Sequence, residues 1–241
     1  MLNIYTTTLQ PQFWQAEQTP SRPGLAQRLY PLAKRWLDVI IALILLVLLA
    51  PLMLLIAIAI KLDSPGPVIY VQRRGGLNGR LFDFYKFRSM SNGRDHTIEH
   101  RQFAAAYIHG QATPHLRDEK GHVVYKPASN GYTVTRVGRW LRRTSLDELP
   151  QLWNVLKGDM SLVGPRPSID YEVAMYSDWH RQRLAVLPGI TGWAQINGRS
   201  SLSFDQIVTL DLEYISRRSL WLDLYILLAT IPQVLHADGA G

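Results

Sequence analysis

The sequence predicts a membrane-attached protein in which a broken apolar helix precedes a soluble domain of mixed helices and strands. Three observations support this prediction. Residues 39–60 form an uninterrupted apolar run, residues 80–90 alternate in a way typical of a strand, and residues 149–156 carry apolar side chains at helical spacing. A chain of 241 residues is long enough for one membrane element and one soluble domain of ordinary size.

The apolar run at residues 39–60 has no charge and no hydroxyl, and it reaches the roughly 20 residues needed to cross a bilayer. Pro51 in its middle removes a helical hydrogen bond at a cost of about 3 kcal/mol, which predicts two short helices joined at Ala50 and Pro51. Basic residues lie on both sides of the run, against the asymmetry of a true span. We therefore predict a re-entrant hairpin over residues 34–63, with a single kinked transmembrane helix as the alternative.

The regions around the hairpin differ in character. Residues 1–33 contain four prolines and little periodicity, which indicates a loosely ordered tail. Residues 64–241 form the predicted soluble domain on the cytoplasmic face, and within them the polar, histidine-rich residues 92–132 indicate an insertion. His96 and His100 have helical metal-ligand spacing, but a surface helix is the preferred interpretation.

Composition limits the function. The net charge of +7 favours a polyanionic partner, and the apolar run favours a membrane surface or a phosphorylated substrate over nucleic acid. The chain has no cysteine, which excludes disulfides, thiolate metal sites and a cysteine nucleophile.

Several local elements can be predicted in order. Asp38 has the spacing of a helical ion pair with Lys34 and Arg35, and the sequence leaves a solvated pair at headgroup level and a special role equally open. Residues 68–72 and 80–90 are predicted strands joined by a basic turn at 73–76, with Lys86 and Arg88 on one face. A helix is expected near residues 170–187. The apolar residues 219–235 are interpreted as a helix packed on the core or lying at the interface.

Asp147 and Glu148 lie at a predicted helix N-terminus, where either Ser145 forms a capping box with Glu148 or Asp147 is the cap. A carboxylate can attack phosphorus, and neighbouring arginines such as Arg142 would keep Asp147 ionised. Glu148 could hold Mg²⁺, which takes oxygen ligands. An acidic pair that only caps the helix is the alternative. The basic residues available to hold phosphates are Arg74, Lys86, Arg88, Arg139, Arg142, Arg166 and Arg199.

Two further features have open interpretations. Trp193 could stack on a base, but a core position is favoured. The acidic residues Asp211 and Glu213 match a glycosyltransferase metal site only weakly and are interpreted as an exposed helix face.

Taken in order, KRWLDVI, the proline-broken apolar run, YKFRSM, TSLDELPQLWNVLKGDMSLVGPRP and LPGITGWAQINGR resemble the bacterial sugar transferases, which are monotopic polyprenyl-phosphate glycosyl-1-phosphate transferases. The resemblance covers residues 34–235. It implies a mainly helical α+β fold with a re-entrant membrane hairpin, a small catalytic domain facing the cytoplasm, interfacial helices and a location at the bacterial inner membrane. One departure is Ala50, where the family often has serine before the proline.

The resemblance also implies a reaction. Asp147 would attack the β-phosphorus of a nucleotide-diphosphate sugar, with UDP expected by family habit, and release UMP. Undecaprenyl phosphate would then accept the sugar phosphate, as the first membrane step of exopolysaccharide, capsule or O-antigen synthesis. Glu148 is the implied Mg²⁺ ligand, and Lys86, Arg142, Arg166 and Arg199 match the family's basic positions. Arg74, Arg88 and Arg139 are weaker matches.

Two questions stay open at this point. A homodimer is compatible with the sequence, and a non-catalytic membrane-surface scaffold for polysaccharide assembly is the alternative function. The presence of the acidic pair together with its arginines favours the enzyme.

Overall fold

The computed structural model describes residues 25–91, 97–112, 116–117, 123–125 and 134–235, and these are mainly helical. The helices are α1 (Leu25–Asp63), α2 (Thr97–Ile108), α3 (Arg136–Thr144), α4 (Gln151–Lys157), α5 (Asp170–Ala174), α6 (Asp178–Arg181), α7 (Trp193–Ile196), α8 (Phe204–Arg217) and α9 (Leu220–Leu235). The strands are β1 (Ile69–Gly75), β2 (Leu81–Phe87), β3 (Leu116–Arg117), β4 (Val123–Val124), β5 (Ser161–Val163) and β6 (Gly189–Thr191).

Helix α1 contains the predicted apolar run and is the one helix of the described chain that is long and apolar enough to cross a membrane. It begins at Leu25 rather than at Lys34, so it includes part of the predicted tail. It also continues through Pro31 and Pro51, so the predicted separation into two helices at Pro51 is not observed. A proline removes only one hydrogen bond of the ladder, and the long apolar segments on either side stay helical.

Both arms of α1 contact the same soluble domain. In the N-terminal arm, the Arg35 guanidinium donates to the carbonyls of Val155 and Leu156 at 2.6 and 3.0 Å. At the other end, the carboxylate of Asp63 accepts from the backbone N–H of Val137 at 2.9 Å, which holds the start of α3. The soluble domain is therefore hydrogen-bonded to α1 on both sides of Pro51.

The predicted ion pair of Asp38 is not formed. Asp38 is buried, and its carboxylate accepts from the backbone N–H of Leu162 at 3.1 Å. Lys34 instead pairs with Asp223 of α9 at 2.9 Å. The interpretation as a solvated pair at headgroup level was wrong, because these side chains fasten α1 to β5 and α9.

Strands β1 and β2 form an antiparallel hairpin. The alternation correctly predicted β2 as a strand, but β2 ends at Phe87, so Arg88 is not part of it. Arg73 and Arg74 belong to β1 rather than to the turn. The hairpin is clamped to α4 by the fully buried Asn154, whose amide donates to the carbonyl of Asp83 at 2.7 Å and accepts from the N–H of Tyr85 at 3.2 Å. This clamp fixes β2 at the residue before Lys86.

Strands β5 and β6 pair in parallel and bring two glycine-containing loops together. A Cβ on Gly164 would come within 2.4 Å of the carbonyl oxygen of Leu187, and a Cβ on Gly189 within 2.1 Å of the Gly164 nitrogen. Only glycine permits this approach. The GPRP segment that carries Arg166 is thereby held against the segment that begins at Leu187.

The C-terminal half differs from the prediction in one place. The helix expected near residues 170–187 is divided into α5, α6 and a short 3₁₀ turn, because Ser177 caps a new helix by accepting from the His180 N–H. Helix α9 confirms the helix expected at 219–235. Within the proposed insertion, α2 and the β3–β4 pair are described, whereas His96 lies outside the described residues.

Candidate active site

The acidic pair lies on a single 3₁₀ turn between two helices. Ser145 ends α3 in the left-handed conformation, with φ of 57°, and residues 146–148 then form the turn. Neither predicted cap is present, since Ser145 makes no side-chain capping bond and α4 begins only at Gln151, after Pro150. The turn instead places Asp147 and Glu148 next to each other at one end of a cavity.

Glu148 is held by two cations from distant parts of the sequence. The Lys86 ammonium lies 2.8 Å from Oε1, and the Arg166 guanidinium lies 2.7 Å from the same oxygen and 3.4 Å from Oε2. Lys86 comes from β2 and Arg166 from the GPRP segment after β5. The structure thus brings together the predicted acidic pair with Lys86 and Arg166.

Asp147 has a different environment. Its carboxylate is buried, and its nearest cation is Lys86 at 3.8 Å, which is too long for a hydrogen bond. Within the described residues it accepts no hydrogen bond. This is the less restrained of the two carboxylates.

The pKa values of the two neighbours move in opposite directions. Burial alone would raise the pKa of Glu148, but Arg166 and Lys86 outweigh it and hold that pKa well below its ordinary value. Burial also raises the pKa of Asp147, and there the more distant Lys86 offsets it only in part. The expectation that arginines such as Arg142 keep Asp147 fully ionised is therefore wrong in its emphasis, because desolvation outweighs their effect on the pKa.

The cavity next to the pair has a volume of about 810 Å³ and two kinds of wall. Its polar end contains the acidic pair with Lys86, Arg142 and Arg166. Its apolar wall includes Leu45 of α1 together with Leu227 and Ile231 of α9. A charged ligand group and an apolar chain could therefore occupy this one cavity.

The remaining predicted cations divide into two groups. Arg142 lines the cavity beside Asp147, whereas Arg139 is exposed and does not line it. The backbone of Arg199 belongs to a short turn whose next residue, Ser200, lines the cavity, but the Arg199 side chain lies outside the described residues.

Arg74 and Arg88 contact the protein itself. Arg74 donates to the carbonyl of Pro167 at 2.6 Å and lies 4.4 Å from the centre of the Phe84 ring, and burial together with Arg166 lowers its pKa to about 10. Arg88 is buried and donates to the carbonyls of Ser64 and Pro65 at 2.6 and 2.8 Å, at the end of α1. The structure places Arg74 behind the GPRP segment and does not bring Arg88 to the acidic pair.

A second charged cluster was missed by the sequence analysis. Arg183 is buried and pairs with Asp211 at 2.6 Å, and it also donates to the hydroxyls of Ser168 and Tyr176 at 2.9 and 2.8 Å. We call these four residues the Arg183 cluster. The guanidinium also donates to the carbonyl of Arg166 at 3.2 Å. Asp211 is fully buried, so its interpretation as an exposed helix face was wrong.

Trp193 is partly buried against the main core, and its indole N–H donates to Glu213 at 3.1 Å. This packing agrees with the core interpretation. It also accounts for Glu213, which serves as a partner for the indole and for Arg217.

The described residues contain no cluster of three or more histidine and carboxylate side chains that could hold a metal alone. Mg²⁺ commonly uses only one or two carboxylates together with substrate phosphates and water. Oε2 of Glu148 has a single long partner, and the Asp147 carboxylate is unbonded within the described chain. The donor set at the acidic pair therefore fits a Mg²⁺ ion completed by substrate oxygens.

Comparison with known proteins identifies the family. The model of the bacterial sugar transferases matches residues 29–237. The chain belongs to the bacterial sugar transferase family. The match includes α1 from Leu29 onward, the acidic pair, the GPRP segment and α9, so every part of the site described above falls within it.

Curated relatives agree with this assignment. The chain is 42% identical to the UDP-glucose:undecaprenyl-phosphate glucose-1-phosphate transferase of Caulobacter vibrioides, over 91% of this chain and 76% of that protein. It is 37% identical to the exopolysaccharide production protein ExoY of Sinorhizobium fredii, over 92% of this chain and 93% of that protein.

Other relatives are longer. The chain is 41% identical to the UDP-glucose:undecaprenyl-phosphate glucose-1-phosphate transferase of Xanthomonas campestris pv. campestris, over 86% of this chain and 39% of that protein. It spans about two fifths of the length of several curated relatives that it matches.

Proposed function

We propose that this chain transfers a sugar 1-phosphate from a nucleotide-diphosphate sugar, expected to be a UDP-sugar, to undecaprenyl phosphate. The observation that carries the proposal is the acidic pair at the polar end of a cavity. Glu148 is held there by two cations, and beside it the Asp147 carboxylate accepts no hydrogen bond from the part of the chain that the structure describes. The names of several curated relatives state undecaprenyl-phosphate sugar transfer. A scaffold that only bound membrane would not need this arrangement.

The first chemical step is a displacement at phosphorus. An oxygen of Asp147 attacks the β-phosphorus of the donor, the bond from that phosphorus to the bridging oxygen breaks, and UMP leaves with the electron pair. Burial favours the attack, because a desolvated carboxylate is a stronger nucleophile than a hydrated one. The sugar phosphate is then bound covalently to Asp147.

The second step regenerates the enzyme. A phosphate oxygen of undecaprenyl phosphate attacks the same phosphorus and releases the Asp147 carboxylate, which gives the polyprenyl diphosphate sugar. Lys86, Arg142 and Arg166 lie at the polar end, where they can bind donor and acceptor phosphates. Arg166 is the best placed for this, since a bidentate guanidinium can share its donors between Glu148 and a phosphate.

Glu148 would supply a protein ligand of Mg²⁺, with substrate phosphate oxygens completing the shell. When bound, the ion offsets the negative charge of the diphosphate. Glu148 suits the ligand role because its pKa lies well below the ordinary value, so it is ionised throughout the neutral range.

The acceptor's chain is the second ligand that the cavity must hold. Leu45, Leu227 and Ile231 belong to the two most apolar helices of the described chain, and they line the same cavity as Asp147. An isoprenoid chain lying along these residues would deliver its phosphate to the polar end. This arrangement lets a membrane-embedded lipid meet a water-soluble donor.

We also propose that α1 enters and leaves the cytoplasmic leaflet of the inner membrane on one side. A straight helix of 39 residues would be about 58 Å long, which would carry its ends to opposite sides of a ~30 Å core. Yet Arg35 near one end and Asp63 at the other both bond to the single soluble domain. Exposed Trp36 on α1 and Trp221 on α9 suit the membrane interface.

The reaction is tested by nucleotide release. Membranes containing the full chain are incubated with a panel of UDP-sugars, with and without undecaprenyl phosphate, and UMP is measured. We expect release from at least one donor and continued turnover only when the acceptor is present. Absence of release from every donor, with folded protein, would favour the scaffold.

The topology is tested by cysteine labelling, which the absence of native cysteine makes simple. Single cysteines replace the exposed Leu29 and Tyr70, on either side of the apolar run. We expect a membrane-impermeant reagent to label both from the cytoplasmic face in inverted vesicles. Labelling of the two positions from opposite faces would establish a spanning helix instead.

A further inference from the structure

A second groove lies between α1 and α3 and shares no lining residue with the catalytic cavity. It has a volume of about 470 Å³ and is lined by Leu52, Leu55, Ile56, Ala59, Arg136, Val137 and Trp140. All of these except Arg136 are apolar or aromatic. The groove therefore combines an apolar wall with one guanidinium group.

The rim of this groove is basic and faces outward. Arg136, Arg139 and Arg143 are exposed on α3, together with Trp140, which is 49% exposed. Helical spacing places Arg136, Trp140 and Arg143 on one stripe, since they are four and then three residues apart. No ion pair is formed by these arginines among the described residues. Asp63 accepts from the Val137 N–H, and Arg136 and Arg139 contribute to lowering its pKa.

The wall of the groove continues into the exposed apolar surface of α1. Leu55 is 64% exposed and Ile58 on the next turn is 49% exposed, on the helix that we assign to the membrane. Helix α3 is fixed beside this surface, because Leu141 and Val137 pack with Ile56 and Ile60. An occupant of the groove would thus be in contact with lipid on one side and with arginines on the other.

We propose that the groove binds an anionic phospholipid of the surrounding bilayer, with its acyl chain against Leu55 and Trp140 and its phosphate at Arg136. An amphiphile with an apolar chain and a negative headgroup matches both parts of the groove. The acceptor lipid is a poorer match, because its phosphate must reach Asp147, which lies in the other cavity.

The site has a structural consequence for the active site. Helix α3 carries Arg142 into the catalytic cavity and ends at Ser145, two residues before Asp147. A phospholipid that holds the outer face of α3 would hold this element in place. The proposal concerns lipid binding and is tested without measuring sugar transfer, so it can fail or succeed independently of the proposed function.

The test uses the full chain in nanodiscs that contain phosphatidylglycerol or phosphatidylcholine with brominated acyl chains, which quench nearby tryptophan. The contribution of Trp140 is the difference from a Trp140→Phe variant. We expect phosphatidylglycerol to quench it at a lower mole fraction than phosphatidylcholine. Arg136→Gln should weaken the phosphatidylglycerol effect about fivefold, while Arg136→Lys keeps most of it.

Two further variants test whether the quenching depends on this groove. Ala59→Phe fills the groove from α1 without a change of charge and should reduce quenching by both lipids. Arg80→Gln removes an exposed arginine at the β1–β2 turn and should change nothing. Circular dichroism checks that each variant is folded.

Three results would overturn the proposal. The first is equal quenching by the two lipids in the unmodified protein. The second is quenching by phosphatidylglycerol that is the same in the Arg136→Gln variant as in the unmodified protein. The third is displacement of brominated phosphatidylglycerol by undecaprenyl phosphate but not by unlabelled phosphatidylglycerol, which would assign the groove to the acceptor.

Discussion

Two charged clusters lie close together in this molecule and are built differently. In the Arg183 cluster, the buried carboxylate of Asp211 is paired at 2.6 Å, and the guanidinium also contacts Ser168, Tyr176 and the carbonyl of Arg166. In the acidic pair, Glu148 takes both nearby cations and Asp147 is left with Lys86 at 3.8 Å.

The difference separates a structural role from a reactive one. A buried charge with complete partners is fixed in one geometry, and removing a partner is costly. A buried carboxylate without hydrogen bonds is destabilising, and its retention beside a cavity is typical of a functional group. The two clusters are connected through Arg166. Arg183 donates to the Arg166 carbonyl, and the Arg166 side chain binds Glu148.

The largest expected effect is on activity at Asp147. Asp147→Asn keeps the size of the side chain but removes the nucleophile, so we expect UMP release to fall by about 10⁴-fold or more. The matched control is Asp178→Asn, an exposed carboxylate of α6 that should retain full activity. Activity near the normal level in Asp147→Asn would show that another group forms the bond to phosphorus.

Substitution in the Arg183 cluster should lower the stability of the protein. Arg183→Met leaves Asp211 buried without its cation, and we expect the free energy of unfolding to fall by about 3–5 kcal/mol. Thermal or denaturant unfolding measures this, with the exposed Arg181→Met as control. An unchanged free energy of unfolding would show that the Arg183 cluster does not stabilise the fold, which would contradict its structural role.

Glu148 should show an intermediate effect with a defined pH dependence. Glu148→Gln removes the charged acceptor of Lys86 and Arg166, and we expect a loss of about 2 kcal/mol at neutral pH, together with an altered Mg²⁺ dependence of activity. Since folding lowers the pKa of Glu148, its contribution is present above the unfolded pKa and is lost as the pH falls through the folded pKa. Unfolding measured along an acid series should therefore show the two proteins converging.

Asp147 should show the smallest stability effect, and with the opposite sign. Because burial raises its pKa in the folded protein, the ionised form opposes folding; this cost is absent below the unfolded pKa, grows as the pH rises, and is complete above the raised pKa. We expect Asp147→Asn to unfold at a slightly higher temperature than the unmodified protein at neutral pH, with the gain disappearing in acid. A lower unfolding temperature of Asp147→Asn at neutral pH would contradict the conclusion that burial of the ionised Asp147 carboxylate is destabilising.

The periodicity of the sequence predicted individual helices and strands better than it predicted the contacts between them. The apolar run, the alternating residues 80–90 and the helical spacing after Leu149 correspond to α1, β2 and α4, because each depends on periodicity within one segment. Pro51 was given too much weight, since the flanking apolar turns keep the helix continuous.

The sequence analysis selected four residues that the structure brings together, but it did not predict their geometry. Asp147, Glu148, Lys86 and Arg166 were all selected, yet nothing in the sequence shows that Lys86 would reach across 62 positions to Glu148. Arg88 was expected beside Lys86 on the predicted strand, but β2 ends at Phe87 and Arg88 bonds to the end of α1 instead. The Arg183 cluster was missed because a buried arginine has no local signal when its partner lies 28 residues away.

In the reaction proposed above, the carboxylate of Asp147 becomes covalently linked to the sugar phosphate. The most direct measurement is mass spectrometry of the full chain after incubation with a UDP-sugar in the absence of acceptor lipid. We expect a mass increase of one sugar phosphate on the peptide that contains Asp147, which is lost on addition of undecaprenyl phosphate and absent from Asp147→Asn. Donor-dependent UMP release with acceptor present, but with no adduct at any time point or with the adduct on another residue, would contradict it.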